Sequence, residues 1–103
     1  GRVRRAYLGL AMTPGPVPAT WRERLGRKTG LLVAQVVAGG PADRAGLRPG
    51  DLLLTVAGHP VAVSQDLQRL MFSEAIGKPL AITVMRNGAL VDVIAEPSEL
   101  VNA

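Results

Sequence analysis

Apolar residues along this chain come in short runs separated by Gly- and Pro-rich breaks, a spacing that predicts several short strands and few helices. Residues 1–6 read as a linker running into a strand. Tyr7–Met12 is an apolar stretch broken by Gly9, and a Gly in such a stretch marks a bend or a close backbone approach. Pro14, Gly15, Pro16 and Pro18 make residues 13–18 a loop. Thr20 and Glu23 have capping-box spacing for a short helix that Gly26 closes, with Trp21 and Leu25 on one face and Trp21 pinning the helix to the body. Leu31–Val37 is an aliphatic run between Gly30 and Gly39-Gly40, a buried strand.

Pro41–Ala45 is one helical turn with Pro in its first turn and Gly46 as its stop. Asp51–Val56 reads as a strand, residues 57–60 as a turn and 61–63 as a short extension. Ser64 is placed as N-cap of a helix running from about Gln65 to Glu74, with Asp66 suited to its positive start. Leu67, Leu70 and Met71 share one face of that helix. Residues 79–85 and 89–95 form two strands joined by Asn87-Gly88, the strongest short hairpin signal. Residues 96–103 are a polar-leaning tail. Five or six short strands with two or three helices make the fold class α+β, a small barrel or sandwich with helices on its openings.

Composition bounds the function. The chain has 103 residues, of which 48% are apolar and only 3% aromatic, so the core is aliphatic. That length suits one domain spanning 1–103, with a core of about 5–95. No apolar run approaches the roughly 20 residues of a membrane span. Residue 1 is Gly and no signal peptide is evident, which suggests a piece excised from a longer protein. Seven of the 12 basic residues fall early, at Arg2, Arg4, Arg5, Arg22, Arg24, Arg27 and Lys28, with Glu23 the lone acid there. This is either a positive end that attracts an anion or a solvated face beside a linker. Aromatic residues are not interleaved with these cations, so nucleic acid is not an expected partner.

Catalytic and metal chemistry find little support. His59 is the sole histidine and follows Gly58 in a turn, and there is no Gly-x-Ser-x-Gly elbow or phosphate loop. The eight acids are scattered and cysteine is absent, so no metal site, no cofactor and no catalytic residue is expected.

Three features remain: Arg5 followed by Tyr7-Leu8-Gly9-Leu10; Gly40-Pro41-Ala42 leading through Ala45-Gly46-Leu47 to Pro49-Gly50-Asp51; and the Ser64 helix followed by the Asn-Gly hairpin. Together they resemble a PDZ domain of the bacterial HtrA/Deg serine-protease type over about residues 2–95. Related PDZ domains in other protease and secretion families share the Pro-Gly-Asp element, and the Arg-x-Tyr-Leu-Gly-Leu start favours the HtrA type. The resemblance implies a five- to six-stranded PDZ-like fold and a peptide-binding regulatory module on a longer, trypsin-like serine protease of the bacterial cell envelope, periplasmic or extracytoplasmic. The implied partners are the attached protease domain and C-terminal peptides of unfolded or partner proteins, with a possible homo-oligomer through the parent.

The physics of the residues fits that role. Consecutive N–H groups around Gly9 make a nest for a terminal carboxylate, and an extended peptide can add to a sheet edge at Leu10, Ala11 and Met12. The expected carboxylate loop is Tyr7, Leu8, Gly9 and Leu10, with Tyr7 as packing support; the resemblance implies that Arg5 assists, the alternative being an ordinary surface Arg. The expected pocket for the last side chain is Leu8, Leu10, Leu67, Leu70 and Met71; Leu67, Leu70 and Met71 can alternatively be core, and that is the preferred reading for Leu70. The long, Pro-rich segment 13–30 and Phe72 are each placed to restrict the groove. That motivates an alternative, a structural or assembly module whose groove is blocked or filled by a neighbouring segment. A basic tether is a third reading.

Overall fold

The computed structural model describes residues 4–100; Arg2 and the outer parts of the expected linker and tail lie outside them. The elements run β1 (Ala6–Tyr7), β2 (Leu10–Pro16), α1 (Ala19–Leu25), β3 (Thr29–Val36), α2 (Pro41–Ala45), β4 (Leu52–Val56), β5 (His59–Pro60), α3 (Ser64–Gln68), β6 (Leu80–Arg86), β7 (Ala89–Ala95) and β8 (Ser98–Glu99), with a 3-10 turn at Ser73–Ala75. Strands β2, β3, β4, β6 and β7 lie side by side in that order, all pairs antiparallel, and β5 pairs with β4. β1 and β8 form a separate antiparallel ribbon. The α+β class matches the sequence reading; the strand count is higher because β1, β5 and β8 are only two residues long.

The triple leucine of β4 explains the layering. Leu52, Leu53 and Leu54 are all buried. Leu53 joins Leu31, Val33, Val56, Ile82 and Val84 on the face covered by α2 and α3. Leu52 and Leu54 join Val17 and Met85 on the opposite face, where Trp21 and Leu25 of α1 pack. A strand covered on both faces needs such an uninterrupted apolar run. Trp21 does fasten α1 to the sheet, as expected.

Five local expectations are corrected. The 13–18 loop is strand as far as Pro16. β2 ends the sheet, and proline is tolerated on an edge where its missing N–H would face outward. The Val17 N–H donates to the Lys28 carbonyl at 2.8 Å. The alternation of an antiparallel ladder therefore puts Gly15 and Thr13 in bonded positions, and Pro14 and Pro16 in positions that bond nothing on β3. Thr20 caps nothing: α1 begins at Ala19 behind Pro18 with no side-chain cap, although Gly26 closes it in the left-handed region at φ 67°.

α3 stops at Gln68, well short of Glu74, and Ser64 is its first residue rather than its cap. Asp66 reaches back instead, accepting from the Ala62 N–H at 2.8 Å and the Val63 N–H at 3.1 Å. These two bonds hold the Asp66 carboxyl below the usual carboxylate range. The helix closes in a tightened turn, with the Met71 N–H donating to the Gln68 carbonyl at 3.2 Å. Leu70 N–H tightens onto Leu67 O, and the Met71 carbonyl accepts the Ala6 N–H at 3.2 Å. Phe72 then bridges to Arg5. The stretch after Ala95, read as a tail, supplies β8, with Ala6 opposite Glu99 and Tyr7 opposite Ser98.

The early basic cluster is largely spent on structure. Arg27 donates to the carbonyls of Thr29, Leu54 and Val61, and burial lowers its pKa. Arg22 donates to the Val17 carbonyl at 2.9 Å, and Arg24 lies 5.0 Å from the centre of the Trp21 ring. Arg4 pairs with Glu99 at 2.8 Å.

One buried ion pair ties the sheet to α2. Asp51, 2% exposed, receives both Nε and Nη2 of Arg86, at 2.8 and 2.7 Å, and the Arg48 N–H at 2.9 Å. The same guanidinium donates to the Gly46 carbonyl at the end of α2, at 2.8 Å. Burial opposes ionisation of Asp51, but the bonds from Arg86 and Arg48 and their charges outweigh it and hold the carboxyl below its ordinary value. Removing one partner of such a pair leaves the other unpaired, so Asp51→Asn is expected to cost roughly 3 kcal/mol in denaturant unfolding. An aspartate with a depressed folded-state pKa gives stability that is complete above its unfolded value of about 4 and fades as the pH falls through the folded value. The wild type should lose stability below about pH 4 more steeply than Asp51→Asn; equal acid slopes would refute the assignment.

Candidate functional site

The loop between β1 and β2 is held by its carbonyls. Leu8 O accepts the Ala42 N–H, in the first turn of α2, at 2.8 Å, and Gly9 O accepts the Val37 N–H at 2.9 Å. A trans peptide sets its C=O and N–H in opposite directions. Anchoring these two carbonyls therefore turns the Gly9 and Leu10 N–H groups away from α2 and β3. The pairing of Tyr7 with Ser98 likewise faces the Tyr7 carbonyl to β8 and averts the Leu8 N–H. Among the described residues, neither Leu8 nor Gly9 donates its N–H to a backbone carbonyl.

Gly9 makes this possible. Its φ is +78°, and a side chain there would place Cβ 3.3 Å from Val37 Cβ and 3.4 Å from the Tyr7 hydroxyl. Tyr7 thus packs over the loop, as expected of it.

These residues line a cleft of about 670 Å³ bounded by β2, the α3 segment, the end of β3 and Pro49. A second lobe of about 420 Å³ shares Ala6, Leu10, Met12, Leu67, Met71 and Leu100 with it and adds Arg5, Ser64 and Gln68. Leu8 and Leu67 are buried, at 5% and 7% exposure, and Leu10, Met12 and Met71 pack half-buried against the same core. Arg5 is the only charged side chain among the described residues lining either lobe, and it makes no ion pair there.

β2 supplies the open edge. Val37 bonds to Gly9, so Leu10 opposite Val36 occupies a non-bonded ladder position and its N–H and C=O point outward from the sheet. A bulge follows at Ala34 of β3, between the pairs Ala11–Gln35 and Met12–Val33.

The structure brings together Arg5, Tyr7, Leu8, Gly9, Leu10, Ala11 and Met12, with Leu67 and Met71 facing them across the cleft. Leu70 is the exception: it lines a different depression with Phe72, Pro79 and Leu80, because α3 ends before it. Phe72 lies there too, and no residue of 13–30 lines the cleft, so neither obstructs it. Sequence reasoning missed Leu100 as a lining residue, having counted it in the tail. The cleft is thus assembled from a glycine bend, an anchored loop, an open strand edge and an apolar helix face.

The family model for the PDZ domain matches residues 6–96, and the chain belongs to that family. It is 34% identical over 100 residues to a probable periplasmic serine endoprotease, DegP-like, of Hahella chejuensis, covering 97% of this chain and 21% of that protein. It is 38% identical over 98 residues to the putative serine protease HhoB of Synechocystis, covering 84% of this chain and 23% of that protein. Among solved structures, the HtrA-type protease AlgW with a tripeptide aligns at TM-score 0.79 and 30% identity, covering all of this chain and 34% of that one. AlgW with a decapeptide aligns at TM-score 0.78 and 29% identity, over 97% of this chain and 31% of that one. The chain spans about a fifth of the length of the curated relatives it matches.

Two of the left-handed glycines, Gly9 and Gly26, offer a controlled comparison. A methyl group added to Gly26, at φ +67°, would meet nothing within 4 Å, whereas one added to Gly9 would crowd its neighbours. Gly26→Ala is expected to cost about 1 kcal/mol from backbone strain alone. Gly9→Ala should cost more, as measured by thermal or denaturant unfolding; an equal cost would contradict the described packing of Tyr7 and Val37 on the loop.

Proposed function

We propose that this chain is a peptide-binding module that captures the free C-terminus of an extended, hydrophobic segment by adding it as a strand to β2. The observation that carries this reading is the anchoring of the Leu8 and Gly9 carbonyls by Ala42 and Val37, which leaves the loop amides to face the cleft. A terminal carboxylate accepts from such amides, and Arg5 adds a positive charge at the same cleft. The outward N–H and C=O of Leu10 pair with the incoming backbone whatever its sequence. The last side chain enters between Leu8 and Leu10 on one side and Leu67 and Met71 on the other. Ala11 and Met12 continue the edge along the ligand.

Burial of one aliphatic side chain contributes roughly 1.5–3 kcal/mol. With the carboxylate bonds added and the cost of ordering the peptide subtracted, affinity falls in the micromolar range, about −8 kcal/mol.

In the parent protein the module delivers such segments to an attached trypsin-like protease domain or switches that domain on when the groove fills. The names of the curated relatives support a serine-protease parent, and they support a periplasmic or other envelope location for it. Assembly of the parent into a homo-oligomer belongs to the same reading.

Calorimetric titration with one peptide ending in a free aliphatic residue, and with its C-terminal amide, tests the site. Loss of the charged acceptor is expected to weaken binding at least tenfold. Equal binding of the two forms, or no binding of either, would rule out the carboxylate nest.

A further inference from the structure

Leu100 is contributed by a part of the chain that the PDZ family match, ending at residue 96, does not include. It lines both lobes of the cleft, alongside Leu10, Met12, Leu67 and Met71. Its position is fixed by backbone: the Leu100 N–H donates to the Arg5 carbonyl at 2.9 Å, which extends the β1–β8 ribbon by one pair. Directly opposed residues of an antiparallel pair project to the same side. Arg5 and Leu100 do so, and both line the lobe that reaches α3. The cleft thus has a further wall, beside β2 and the α3 segment, made from one cation and one leucine.

Leu100 nonetheless remains 45% exposed, unlike the 7% of Leu67 on the facing wall. Its apolar surface is therefore available to a guest and is not consumed by the core. We propose that Leu100 is a specificity-determining residue, setting how large a terminal side chain the cleft accepts; this inference rests on the peptide-binding reading above. A large aliphatic or aromatic end reaches Leu100 and covers it, whereas a terminal Ala does not extend far enough to do so. Discrimination among ligands arises from that difference in buried area rather than from the carboxylate contact, which every free C-terminus makes equally.

The test uses the full 103-residue chain and a peptide series identical except for a terminal Ala, Val, Leu or Phe, each with a free carboxylate and each as the amide. Leu100→Ala is expected to weaken binding of the Leu- and Phe-ending peptides about fivefold while changing the Ala-ending peptide less than about twofold. Leu100→Trp narrows the cleft and should shift the preference toward Ala and Val. An unchanged ranking in both variants, or a uniform loss across all four peptides, would overturn the role of Leu100 while leaving the groove itself intact. Wild-type protein that binds none of the free-carboxylate series would overturn the peptide-binding reading and this inference together.

Discussion

The hydrogen bond from the Ala42 N–H to the Leu8 carbonyl, 2.8 Å long, is the constraint on which the site depends. The first N–H groups of a helix lack partners within it, and α2 gives one of its own to the loop that precedes β2. Because the peptide unit is rigid and trans, holding one carbonyl fixes the direction of the following amide. The Val37–Gly9 bond repeats the device one residue later. A loop anchored through its acceptors presents its donors, and this is how a short apolar sequence with no charged side chain in the loop itself becomes suited to an anion.

That bond is only as firm as the placement of α2. The helix is five residues long and cannot hold itself in water. Its start is set by Pro41 and by the Asp43 carboxylate, which accepts the Gly39 N–H at 2.8 Å. Its end is tied to the sheet through Arg86, which contacts both the Gly46 carbonyl and the buried Asp51. Asp51 in turn accepts the Val33 N–H on its own carbonyl, so β3 and the turn before β4 share one network. A polar network of this kind stabilises only when all its members are bonded, and no buried side-chain N or O is without a partner among the described residues. The glycines and prolines of the Gly40–Asp51 stretch thus serve the β1–β2 loop at a distance, by fixing the helix turn that holds it.

Much of this was legible in the amino-acid order. The aliphatic run of β3, the Pro-started turn of α2, the Asn87-Gly88 hairpin and the stop at Gly26 are dictated by local chemistry, and each occurs where that chemistry puts it. So is the glycine bend at Gly9. What escaped was set by partners remote in the chain. Pro14 and Pro16 lie in a strand because β2 is an edge, a property of sheet order and not of the residues. α3 closes early in a tightened turn, after which the Met71 carbonyl accepts the Ala6 N–H from the start of the domain, and Leu70 lies off the cleft wall. The early arginines suggested a charged face, yet Arg27 reaches the Leu54 and Val61 carbonyls, which only the folded chain brings near. Leu100 was hidden by the polar residues around it, although it completes a ribbon with the opposite end of the domain.

Backbone amide resonances of the 103-residue chain, followed by nuclear magnetic resonance during titration with a peptide bearing a free hydrophobic terminus, test the anchoring argument most directly. The Leu8, Gly9 and Leu10 amide protons should move furthest and downfield, as they acquire a charged acceptor, and should stay near their starting positions with the amidated peptide. Largest shifts on the outer face of β7, or shifts at the loop that are indifferent to the terminal charge, would contradict the account.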